Sequence, residues 1–279
     1  MNKADHASLI TLALSWAFFV SYYFFGGTIK NPWFTAFGIA YMWIPGLVAL
    51  VLARREGLRL QVWSRPNRWW LVAWLLPLAL VAAAVVAALP LADFVGLAGV
   101  KKALVAAGDP KLTGLPDWAL ALALFLQVLF AGATINALAA LGEELMWRGY
   151  LWEHSRDLGF WPASLQIGVI WGVWHAPLVY FLGYNYPQHR FWGVILMVVF
   201  TILLTPWMLY LREKGNAIFT AAIFHGTINA AGGLALYAFA RPNDLLIGLT
   251  GLSGFVVLAL ANLYLRRLIP PASDQDQTS

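Results

Sequence analysis

The chain has no cysteine and very little charge. The first absence removes disulfides, thiolate nucleophiles and cysteine-held metals together. The second says more. Only 11% of the 279 residues are charged and 61% are hydrophobic, whereas a soluble domain carries about a quarter charged residues. Such a composition cannot cover itself with a water-compatible surface. A mean hydropathy of +0.70 therefore places the chain in a bilayer. Internal repeats and low-complexity runs are also lacking. The opening residues 1–6 lead into an apolar run too long for a signal peptide and without a small-residue cleavage site, so the first helix is expected to be retained.

What is present fits that setting. Fifteen Trp and ten Tyr suit the headgroup level, where an amphipathic ring satisfies both solvents. About eight apolar stretches of spanning length follow one another, at 8–25, 34–53, 70–91, 118–141, 161–182, 192–211, 217–238 and 245–265. The expected fold class is all-α: a polytopic transmembrane helix bundle forming one domain over 1–269, with a polar, disordered tail at 270–279. The net charge of +5 is spread between apolar segments, which points to lipid headgroups as partner and not to nucleic acid. On an eight-span topology twelve Lys and Arg lie on the side of the two termini and six on the other. By the positive-inside rule both termini are expected in the cytoplasm, in the plasma membrane if the source is prokaryotic. Two connecting segments stand out. The stretch 56–68 reads either as an interfacial amphipathic segment or as an ordinary basic loop. The stretch 93–117 reads as an amphipathic helix on the opposite face.

Against this apolar background three polar clusters are conspicuous: Glu143-Glu144-x-x-x-Arg148, Trp171-x-x-x-His175 and His225-x-x-x-Asn229. An ionisable group at bilayer depth costs at least ~2.5 kcal/mol, so a chain that keeps several is a functional-site candidate. At 1.5 Å per residue, Glu143 lies ~20 Å inward from Arg156, His175 ~21 Å from Trp161, and His225 and Asn229 ~15 and ~21 Å from the start of the seventh span. The three clusters are thus expected in one layer, as catalytic residues of a site carried by 118–238.

Helix geometry separates their roles. Consecutive residues point ~100° apart, so Glu144 and Arg148 share a face and are expected to pair, leaving Glu143 to face a cavity. The pair itself is open to a structural or a catalytic reading. His225 and Asn229, four apart, can direct N–H donors at one point, the requirement for holding an oxyanion. An imidazole can share a proton with a carboxylate-bound water, as general acid–base work needs. Trp171 is expected to be an apolar packing residue. Thr134, Asn136, Gln166, Thr201, Thr205 and Thr227 are read mainly as helix-to-helix hydrogen bonds, with cavity lining as the alternative. Pro177 and Pro206 are candidate kinks.

Over 141–230 the three motifs, in this order, resemble the CPBP family, which includes type II CAAX prenyl endopeptidases and bacterial self-immunity proteins. The family commonly has Phe where this chain has Trp171. The resemblance implies an intramembrane endopeptidase of the CAAX prenyl protease 2 kind, cutting a membrane-tethered protein or peptide, prenylated or not, in a cavity open to the cytoplasm. It further implies that Glu143 and His175 activate a water, that His225 and Asn229 stabilise the tetrahedral oxyanion, and that Glu144 and Arg148 orient Glu143 or bind a substrate carboxylate. Members are labelled metalloproteases. Zinc is possible here with Glu143, His175 and His225 as ligands, but no His-x-x-x-His pair holds a metal from one helix, and a glutamate-activated water without a cofactor is the preferred reading. A non-catalytic scaffold or immunity protein is the alternative. A transporter is less favoured, since inverted repeats and paired broken helices are not found.

Overall fold

The computed structural model describes residues 2–106, 108 and 110–269; the tail expected to be disordered lies outside them. Among the described residues the fold is all-α, with no strand beyond a single Phe94–Phe239 bridge. Its helices are α1 (Lys3–Phe24), α2 (Phe34–Glu56), α3 (Arg68–Ala88), the short α4 (Leu97–Ala106), α5 (Asp117–Ala133), α6 (Ile135–Glu144), α7 (Leu151–Ser155), α8 (Phe160–Trp174), α9 (Ala176–Leu182), α10 (Arg190–Gly215), α11 (Ile218–Tyr237) and α12 (Leu252–Leu268). Seven stretches are long and apolar enough to cross a membrane. The last expected span is shorter than the sequence pattern suggests, because 245–251 forms turns and α12 keeps only 17 residues.

The crossings give the bundle two ends. Lys3, the Glu56 end of α2, and residues 158, 215 and 268 lie at one, here the terminal end; the loops 25–33, 89–116, 183–189 and 238–251 lie at the other, the far end. At the terminal end the segment 57–67 is neither an amphipathic helix nor a free loop. It is an extended strap. Its Gln61 and Val62 carbonyls accept the first backbone N–H groups of α11 at 2.9 and 3.1 Å, while Ser64, Asn67 and Trp70 donate to the last carbonyls of α10. Helix ends otherwise left with unpaired groups are closed in this way.

Two helices break where the polar motifs sit. The stretch Asp117–Leu158 departs from helical geometry at Thr134 (φ −120°, ψ −93°) and then widens into a π-turn over Leu145–Tyr150, a distortion often found at functional sites. The next crossing breaks at His175, between α8 and α9, because Pro177 has no N–H for the α-helical ladder. The carbonyl of Trp174 there accepts from the Tyr41 hydroxyl and the Trp16 indole. Pro206 lies within α10, which is assigned as one helix throughout.

Lipid gives no hydrophobic drive between helices, so packing relies on small residues that let backbones approach. Gly142 of α6 meets α2 backbone to backbone: a Cβ there would lie 2.6 Å from the Met42 carbonyl oxygen, and one on Gly46 would lie 2.5 Å from that of Gly142. Gly226 of α11 meets the α5–α6 junction in the same way: a Cβ there would lie 2.5 Å from the Gly132 oxygen and the Ala137 nitrogen. These two crossings set Glu143, Glu144 and His225 against one another. We expect Gly142→Ala to lower the unfolding temperature in detergent, by roughly 1–3 kcal/mol of overpacking. Gly232→Ala, in the far half of α11 with nothing within 4 Å, should leave it unchanged.

Candidate active site

The centre of the site is a fully buried ion pair. Glu144 and Arg148 expose no side-chain surface, and Arg148 Nη1 donates to Glu144 Oε1 at 3.1 Å. Its Nη2 donates to the Thr205 hydroxyl at 3.1 Å, and the guanidinium lies over the Trp171 ring, 4.2 Å from the centroid. Each contact replaces water that the cation has lost. The π-turn carries Arg148, and its own carbonyl accepts from Arg212 Nε. Arg212 in turn is tied to Glu153 and Glu213.

Two further contacts spread from this pair. Glu144 Oε1 also meets Nδ1 of His225 at 2.8 Å. The Trp171 indole N–H donates to Glu143 Oε2 at 2.6 Å, with Trp147 donating to the same oxygen at 3.4 Å. Trp171 is therefore no plain packing residue: it touches both the cation below it and the carboxylate in front of it. Its donor role has no signal in the sequence beyond the presence of an indole in a polar motif.

The imidazoles have defined hydrogen-bonding sides. Nδ1 of His175 faces the carbonyl of Trp171 at 2.8 Å. A carbonyl only accepts, so this nitrogen carries the hydrogen and Nε2 of the neutral ring keeps a lone pair. His225 likewise turns Nδ1 to a carboxylate. Its Nε2 holds a lone pair in the neutral ring and becomes a donor in the imidazolium, with Glu144 as counter-charge.

A cavity of about 410 Å³ joins these groups. Glu143, Trp171, His175, His225 and Asn229 all line it; Glu144 and Arg148 do not. No Lys or Arg is among its lining residues. Of the six other polar residues singled out in the sequence, Asn136 alone lines it. Thr201 bonds to Gly168 of α8 and Thr205 receives Arg148, while Thr134 and Thr227 turn back to their own helices. Tyr41, Tyr184 and Asn185 are wall residues that sequence reasoning did not single out.

The cavity has a direction. From α2 it takes Phe34 to Met42, from α10 Met197 to Leu204, and from α11 His225 to Leu236, in each case the half nearer the far end. Tyr184, Asn185 and Thr250, of the far-end loops, complete it. The ionisable groups form its floor. Ile39 and Ile135 line it while remaining 40% and 62% exposed on the flank of the bundle, which marks a side opening toward lipid. The cavity therefore lies on the side of the ionisable groups away from both termini.

Comparison with known proteins bears on the same segment. Residues 118–231, which contain all three motifs, match the family model described as Type II CAAX prenyl endopeptidase Rce1-like. Over these residues the chain is similar to that family. A CAAX prenyl protease 2 from Methanococcus maripaludis is 33% identical over 112 residues, 38% of this chain. The match spans 39% of that relative's length, and α1 to α3 and α12 fall outside the family segment. This segment does not assemble a three-ligand metal site: among the described residues no three His, Cys, Asp or Glu side chains come together at metal-holding spacing, and Glu143 Oε2 is already taken by two indoles. The set Glu143, His175 and His225 thus does not fit zinc in this arrangement.

Removing one partner of the ion pair strands the other without water. We expect Arg148→Ala to destabilise the fold by roughly 3–5 kcal/mol, seen as a large drop in unfolding temperature in detergent. Arg212→Ala, at the more accessible end of the same network, should cost less.

Proposed function

We propose that the chain is an intramembrane endopeptidase that hydrolyses a peptide bond of a membrane-tethered substrate with a water activated by Glu143 and His175. The observation that carries this reading is the cavity floor, where a carboxylate, an imidazole with a bare Nε2, a second imidazole and an amide meet in one enclosed space. Each residue then has a task that its surroundings support. With Oε2 held by Trp171 and Trp147, Glu143 takes the water proton on Oε1, and Nε2 of His175 accepts the second hydrogen bond that orients the water. Attack on the scissile carbonyl places negative charge on its oxygen. The protonated His225, through Nε2–H, and the Asn229 amide hold that oxyanion. Collapse of the tetrahedral intermediate breaks the C–N bond, and the proton stored on Glu143 passes to the leaving amine.

Glu144 and Arg148 act from behind the wall. Their absence from the cavity lining favours positioning over contact with a substrate carboxylate: Glu144 is the counter-charge for His225, and Arg148 holds both Glu144 and the Trp171 ring. A substrate related to that named for the archaeal relative, a CAAX protein, is cut near its C-terminus; prenylation supplies the membrane tether.

Two experiments test the assignment. Purified protein in detergent or nanodiscs should cleave an acyl- or prenyl-tethered peptide and place heavy oxygen from labelled water in the new carboxylate, while Glu143→Gln should fall by about 10²–10⁴-fold. Equal turnover by wild type and Glu143→Gln sinks the reading. Trp171→Phe keeps a ring for Arg148 but removes the donor to Glu143. It should lower kcat roughly 10- to 100-fold, the worth of a hydrogen bond to a charged group, with KM and unfolding temperature little changed.

A further inference from the structure

A polypeptide drawn into this cavity loses the water on its backbone, and each N–H and C=O it brings then needs a partner. A sheet edge commonly supplies such partners to an extended peptide. Among the described residues the fold has no strand to lend one, so side chains have to take its place. Most polar side chains near the floor are already engaged. The Tyr41 hydroxyl donates to the Trp174 carbonyl, Trp171 donates to Glu143, and Nδ1 of His175 and of His225 each face an acceptor.

Asn136 differs from them. It lines the cavity, and its carboxamide makes one contact, from Nδ2 to the Gly226 carbonyl at 3.4 Å. That leaves the second N–H of the amide free, while Oδ1 receives no hydrogen bond among the described residues and is accessible, not sealed. Its position relative to the floor is fixed by two helices. Because α6 runs unbroken from Ile135 to Glu144, Asn136 and Glu143, two turns apart, share a face and are separated by about 10.5 Å along the axis. Across from it, Gly226 directly follows His225 on α11 and lies one turn before Asn229. Its neighbour Ile135 borders the flank opening.

We infer that Asn136 binds the main chain of the substrate, its Oδ1 accepting the N–H and its Nδ2 donating to the C=O of one extended residue within about three residues of the scissile bond. This rests on the peptidase reading and adds a substrate-binding residue to it. The N–H and C=O of a residue in an extended chain point to the same side, which matches the paired acceptor and donor of a carboxamide. The limit of about three residues is the number of extended residues that spans the axial distance from Asn136 to Glu143. A contact of this kind reads backbone and not side chain. It holds the peptide in one register, with the scissile carbonyl at His225 and Asn229, and leaves the side chain at the bound residue free to vary.

Binding tests this without turnover, and so stands apart from the Glu143→Gln comparison of cleavage rates that tests the peptidase reading. A fluorescent acyl-tethered peptide is titrated by anisotropy against the Glu143→Gln protein in nanodiscs, with and without Asn136→Ala. The Asn136→Ala change should raise Kd about 5- to 100-fold, the worth of one or two hydrogen bonds, with the unfolding temperature little changed. A second series replaces, one at a time, each peptide bond within three residues of the scissile one by an ester, which lacks the N–H. One ester should weaken binding to the protein that keeps Asn136 and make no further difference once Asn136 is Ala. Equal Kd with and without Asn136 overturns the inference. So does a series in which no ester weakens binding to the Asn136 protein, or in which the ester losses are the same in both proteins, and so does a peptide that fails to bind the Glu143→Gln protein at all.

Discussion

A guanidinium with no exposed surface, inside a lipid-spanning bundle, is the constraint on which the rest of the arrangement depends. Arg148 cannot reach an interface by extending its side chain, since it sits on the π-turn behind α8 and α10. Its charge has to be met on the spot. Glu144, Thr205 and the Trp171 face meet it from three directions and three helices. Each of those groups is thereby fixed, and two are the immediate supports of the cavity floor: Glu144 faces Nδ1 of His225, and Trp171 donates to Glu143. Buried charge here contributes order more than net stability, because the desolvation of both ions offsets much of their attraction. What the proposed chemistry gains is a set of side chains with few alternative rotamers.

The distortions of the backbone belong to the same account. An unbroken α-helix through 145–150 would point Arg148 and the residues after it in other directions; the π-turn adds the extra residue that re-aims them. The break at His175 turns the chain so that Trp171, Trp174, His175 and Leu178 can all border one space. Pro177 supplies the break, and the carbonyl of Trp174 finds donors in Tyr41 and Trp16 on two other helices. Irregular backbone at this depth is tolerated only where protein or a wet cavity surrounds it. Around the proposed floor, buried protein and the cavity wall enclose those breaks.

Much of this was legible in the sequence, and what was not has definite causes. Composition and the lengths of the apolar runs were enough for an all-α membrane bundle, and the four-residue spacing of Glu144 and Arg148 was enough for their pairing, because both are local properties. The contact between Glu144 and His225 spans 81 residues and no periodicity encodes it. Trp171 as a donor was missed because an indole is apolar on every scale and its N–H matters only when an acceptor lies opposite. The strap at 57–67 satisfies backbone groups of two distant helix ends, a debt invisible until those ends are adjacent. The shortened α12 reflects turns at 245–251 that pack against their own neighbours, with Leu252 and Ser253 bonded back to the Leu245 and Leu246 carbonyls.

The direction of the cavity follows from where the helices touch. At the Gly46–Gly142 crossing α2 and α6 meet backbone to backbone, and at the Gly132–Gly226 crossing the α5–α6 junction meets α11 in the same way. Those contacts lie beside the ion pair, at the level of the floor. Toward the termini the space between helices is filled by Trp147, Tyr150 and Leu151, all buried, and by the paired charges. Toward the far end the neighbours are Gly38, Ala139, Gly232 and Gly233, residues too small to fill the gap between helices that are no longer in backbone contact. A half-filled bundle is the result: packed and ionic on one side of the crossings, hollow on the other. The same glycines that bring Glu143 and His225 together thus leave the space beyond them unfilled, so assembly of the floor and the position of the cavity are two consequences of one packing arrangement.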